Sequence, residues 1–112
     1  MAVKLNPAPT FWQDVKLTVP GEVEPALVSL KFVYMTAEQL QPFFEANAGQ
    51  PVASAISKIV LDWGDKSFMG DDGAYVPFSS RALAQVLNSY SPAAGEIWGQ
   101  WMRSLMESRV KN

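Results

Sequence analysis

The chain has 112 residues, a formal net charge of −2, and neither cysteine nor histidine. That length is one domain, 1–112, with a core that removes roughly two-thirds of the unfolded surface from water. The missing residue types exclude disulfide frameworks, thiolate metal sites and thiol catalysis, along with the usual general base near neutral pH, and the acidic balance excludes a basic nucleic-acid footprint.

Residues 1–11 hold Pro7 and Pro9 and little periodicity, and they read as an extended lead-in pinned by Phe11 or Trp12. No apolar run there is long enough for a signal peptide or a membrane span, so the protein is expected to stay in the cytoplasm. From Trp12 the pattern alternates, which predicts a strand over about 12–19 with Val15, Leu17 and Val19 inward. Pro20-Gly21 breaks it. A second strand over about 26–34 follows, with Val28, Leu30, Phe32 and Tyr34 on one face. The two form an antiparallel hairpin that helices must cover or another chain must extend.

Thr36 and Gln39 have capping-box spacing, so a helix is expected over 37–48 with Leu40, Phe43, Phe44 and Ala48 inward. Pro42 should kink it or split it in two. Gly49 ends it, and Pro51 opens a helix over 51–62 whose stripe is Ile56, Ile59, Val60 and Trp63, with Gly64 as its left-handed terminator. An acidic, glycine-punctuated loop leads to Pro77-Phe78-Ser79, and Phe68, Tyr75 and Phe78 are expected to fold back onto the core. Ser79 or Ser80 caps a helix over 80–90 carrying Leu83, Val86, Leu87 and Tyr90. Ser91-Pro92 starts the last helix, 92–109, with an apolar arc of Ile97, Trp98, Trp101, Met102, Leu105 and Met106. Arg103, Arg109 and Lys111 lie toward its C-terminal end, where the helix dipole favours positive charge. The fold class is therefore α+β, a hairpin packed on about four helices.

Three features bear on chemistry. Asp62, Asp65, Asp71 and Asp72 offer carboxylate oxygens suited to a hard divalent cation, but they lack the alternation and terminal glutamate of a calcium loop, and solvated turn-capping is the simpler role. Ser79-Ser80-Arg81 stands where a helix must start, which makes it a cap before a nucleophile or phosphate contact. Trp98, Trp101, Met102 and Leu105 form an arc broad enough both to pack on a neighbouring helix and to serve as a partner or self-association face. No catalytic, cofactor-binding or metal-binding residue is assigned, and no enzymatic activity or cofactor is expected.

An ordered set of segments is similar to a known family. It runs Val15-Lys16-Leu17-Thr18-Val19-Pro20-Gly21, Leu30-Lys31-Phe32-Val33-Tyr34-Met35-Thr36, Val60-Leu61-Asp62-Trp63, Val76-Pro77-Phe78-Ser79, and the end Arg109-Val110-Lys111-Asn112. Together they resemble the small tail assembly chaperones of long-tailed bacteriophages with non-contractile tails, from about Val3 to Asn112. The stretch Phe68 to Tyr75 departs from the family's pattern by its length. The resemblance implies a holdase that keeps the long, helical tape measure protein soluble, and that recruits tail tube subunits through a longer product made by ribosomal frameshifting. It also implies a homo-oligomer acting in the host cytoplasm, absent from the mature virion, with no nucleic-acid or membrane partner. A structural minor tail or head–tail connector protein is the alternative, and a metal-dependent enzyme using the loop aspartates is a more distant one.

Overall fold

The computed structural model describes residues 2–106. Three antiparallel strands and four helices follow in the order β1 (Thr10–Leu17), β2 (Ala26–Val33), α1 (Ala37–Asn47), α2 (Val52–Ile59), β3 (Val60–Trp63), α3 (Ser80–Ser89) and α4 (Ala93–Met106). This is the α+β class expected. The sheet order is β1-β2-β3, with Val15 facing Val28 and Leu30 facing Trp63. The helices cover one face of it.

Alternation decides which face. Val15 and Leu17 of β1 and Val28, Leu30 and Phe32 of β2 are buried, while Trp12, Asp14 and Lys16 point to solvent. The strand starts at Thr10, two residues before the expected position, because Tyr34 N–H donates to Pro9 O at 2.9 Å and Phe11 packs on Phe32 with ring centroids 5.7 Å apart. Phe11, not Trp12, pins the lead-in.

The second predicted helix is corrected. It spans Val52–Ile59 rather than 51–62, and the remainder becomes the third strand. Leu30 faces Trp63 and Lys31 faces Asp62, but Phe32 faces Val60, so Leu61 is an extra, bulged residue that stands outward. The bulge puts Val60 and Trp63, three apart, on the same buried face. A spacing of three is what a helix would give, and a regular strand would not. Gly64 does not terminate a helix either. Its N–H donates to Ser29 O at 2.9 Å, and a Cβ there would come within 3.3 Å of Ser67 Oγ and 3.4 Å of Ser29 Cβ. The glycine lets the chain leave the sheet against β2.

The remaining helices start where capping chemistry allows. Gln39 Oε1 accepts from Thr36 N–H at 2.9 Å, and α1 is one helix through Pro42 rather than two pieces. Its inward residues are Leu40, Phe43 and Phe44; Ala48 is exposed, because the helix has ended one residue before it. Gly49 takes φ +77, as a residue leaving a helix in the left-handed region does. Ser79 Oγ accepts from Ala82 N–H at 3.0 Å at the start of α3. Ser79→Ala is expected to lower unfolding free energy by about 1 kcal/mol in a urea titration, with Ser79→Asp close to the parent. At the start of α4, Glu96 receives both the backbone N–H (2.9 Å) and the hydroxyl of Thr18, tying the helix to the end of β1 across 78 residues of sequence. Of the last predicted helix, 92–109, the part beyond Met106 lies outside the described residues, as do Arg109 and Lys111.

Candidate functional site: two apolar surfaces

Trp98, Trp101, Met102 and Leu105 do not share one environment. Trp101 is fully buried beneath the sheet, and its Nε1–H donates to Val33 O at 2.9 Å. Phe43 meets it edge-on at 5.7 Å, and Trp98 lies against it at 5.2 Å. Trp98, Met102 and Leu105 are half-buried and reach solvent one turn outward. Trp98 is stacked on Phe43 at 6.3 Å and touches Phe44 edge-on at 6.2 Å. The arc thus splits into a structural anchor and an outer belt that α1 extends through Phe43 and Phe44. Exposed Met106 continues it at the helix end.

A second apolar surface lies at the far end of the sheet. Residues 64–78, expected as an open acidic loop, fold into a small hairpin: Met69 bridges Tyr75, Val76 N–H donates to Phe68 O at 2.8 Å, and Gly70 N–H to Ala74 O at 2.8 Å. Its tip is Asp71-Asp72-Gly73, with Gly73 at φ +82 and Asp72 Oδ1 accepting from Ala74 N–H at 3.0 Å. That carboxylate closes the turn by the local side-chain bond aspartate favours. Asp62 Oδ1 accepts from Trp63 N–H at 2.8 Å. Among the described residues no group of three or more carboxylates comes together.

Trp63 anchors this hairpin. Its ring lies 4.4 Å from Phe68 and 5.2 Å from Phe78, and its Nε1–H donates to Val76 O at 2.9 Å. Phe68 and Phe78 therefore fold back as expected. Tyr75 does not, because its cross-strand pairing with Met69 holds both at the rim, exposed. Between the hairpin and α3 lies a cleft of about 460 Å³ floored by Leu17, Val28, Phe68 and Val86, with Tyr90 on one wall and Asp71 on the rim. Sequence reasoning missed it. The signal was present in Asp72-Gly73 between Phe68-Met69 and Tyr75-Val76, a turn dipeptide flanked by apolar pairs.

Ser79 caps α3 and Ser80 and Arg81 are exposed in its first turn. Among the described residues, no helix is long and apolar enough to cross a membrane.

These features define an α+β protein with two apolar surfaces open to solvent, one built on α4 and α1 and the other under the hairpin. The family described as "Phage tail assembly chaperone" matches residues 1–112, the whole chain, and the chain belongs to that family. Its partners are accordingly tail proteins in general. No curated protein and no solved structure matches the chain.

Proposed function

We propose that the chain, a single domain, binds the tape measure protein, keeps it soluble while the tail is assembled, and helps bring tail tube subunits to it, the last step through a longer frameshifted product. It works as a homo-oligomer in the host cytoplasm, makes and breaks no bond, and leaves before the virion is complete. The observation that carries this reading is the belt of Trp98, Met102 and Leu105 on α4, continued by Phe43 and Phe44 of α1. A long helical client presents an apolar seam with a period near seven residues, and half-exposed aromatic and methionine side chains suit such a surface without demanding one fixed geometry. Trp101 takes no direct part; it holds the belt in place from below. Many copies along one client would give avidity from individually weak contacts.

Co-expression with the tape measure protein from the same tail gene cluster tests this. The client's soluble fraction is expected to rise with the chaperone present, and purified particles are expected to lack the chaperone by mass spectrometry. An unchanged soluble fraction overturns the holdase reading. A stoichiometric band in particles favours a structural tail component instead.

A further inference from the structure

The edge of β1 opposite β2 has no strand beside it among the described residues. Because Tyr34 N–H donates to Pro9 O, and bonded pairs alternate along an antiparallel ladder, Thr10, Trp12, Asp14 and Lys16 turn their N–H and C=O groups away from β2 toward that edge. Glu96 takes up the next group in the series, the N–H of Thr18. Short of it, a polar groove of about 610 Å³ lies between the strand edge and α4, with Asp14 and Lys16 on one side and Gly95, Gly99 and Arg103 on the other.

The two glycines stand one turn apart on α4, Gly95 in its first turn and Gly99 in its interior, where glycine is the poorest former after proline. A Cβ at Gly95 would meet nothing within 4 Å, and at Gly99 only the tip of Arg103 at 3.4 Å. Among the described residues nothing calls for a bare backbone there. A second helix laid against this face does.

We propose that this face joins two copies of the chain about a two-fold axis through Val15, with β1 pairing antiparallel to its counterpart so that two three-stranded sheets run on as one, while the two α4 helices meet across Gly99. This deepens the homo-oligomer part of the proposed function and rests on it. Charge selects the axis. Through Val15, Asp14 of each copy faces Lys16 of the other, twice over, with their edge-facing backbone groups in register. The Asp14 carbonyl exchanges its exposed bond from Gln13 Nε2 (3.2 Å) for one from the partner strand. Through Asp14, the carboxylate would face itself; through Gln13, both charges would face uncharged or aromatic neighbours. The helices obey the same axis, because Glu96 and Arg103 flank Gly99 by three and four residues, so the acidic end of one approaches the basic end of the other.

Sedimentation equilibrium of the full chain tests the contact. The parent is expected at a multiple of the 12.3 kDa chain mass, and Asp14→Lys or Lys16→Asp alone should halve it. Mixing the two variants should restore it, since each supplies the charge the other lacks. Gly99→Leu should also halve the mass while leaving the far-UV circular dichroism of the native state unchanged, which separates a lost contact from a lost fold. A parent at 12.3 kDa overturns this interface and the oligomer reading together. A larger parent mass unmoved by all three substitutions overturns this interface alone. Client solubility, read in parallel, decides the holdase reading separately.

Discussion

Trp101→Ala is expected to lower unfolding free energy by about 4 kcal/mol, the range for removing a large buried aromatic. Against the roughly 5–15 kcal/mol that stabilises an ordinary domain, this removes between about a quarter and four-fifths of the total. Two losses combine. The ring is fully buried between the sheet and Phe43, so its removal opens a void that the strands above cannot close. The second loss is its hydrogen bond. Thr10 and Val33 face each other in the non-bonded position of the ladder, so the Val33 carbonyl points away from β1, and β3 pairs no further along β2 than Phe32. Trp101 Nε1–H is the donor that this carbonyl would otherwise lack. Trp101→Phe keeps most of the ring and drops the bond, and should cost about 1–2 kcal/mol. Urea titrations of the two variants separate the terms. A Trp101→Ala loss below that expected for Trp101→Phe would mean that the indole is not the keystone under β2.

The first two strands were legible because their pattern admits one answer: Val15 and Leu17, then Val28, Leu30 and Phe32, alternate strictly and are buried. Val19 and Tyr34, also expected inward, lie past the strand ends at Leu17 and Val33 and are only half-buried. Helix starts were legible for a similar reason, since Thr36 with Gln39 and Ser79 before an apolar stripe are local chemistry that needs no tertiary information. The third strand was not legible. Ile56, Ile59, Val60 and Trp63 keep helical spacing across a boundary where helix gives way to a bulged strand, and only the register against β2 shows that Leu61 is the extra residue. Tertiary pairing also explains the hairpin. Asp72-Gly73 marked its turn, but the side on which it would lie depends on Trp63, whose ring and Nε1–H fasten Phe68, Phe78 and Val76 to the sheet. The partner arc was half legible for the same kind of reason. Periodicity put four residues on one face of α4, yet it could not say that the sheet would swallow Trp101 and leave its neighbours at the surface.

That split sets up the functional test with the largest expected effect. Trp98→Ala should weaken binding to a helical tape measure segment by roughly 30-fold, the loss of about 2 kcal/mol that marks an aromatic hot spot. Its cost to the fold should be smaller, about 1–2 kcal/mol, because Trp98 is only half-buried and loses contacts with Phe43 and Phe44 rather than a place in the core. The order of effects is thus opposite to that at Trp101, where stability falls first and binding follows only because the belt loses its support. Equilibrium binding by fluorescence anisotropy of a labelled client segment, read beside a urea titration, distinguishes the two. Trp98→Phe should recover most of the binding, since a rigid ring on the same stem still fills an apolar seam. Should Trp98→Ala bind as the parent does while a Met69→Asp, Tyr75→Asp double variant does not, the client lies in the cleft under the hairpin and the belt serves α1 alone.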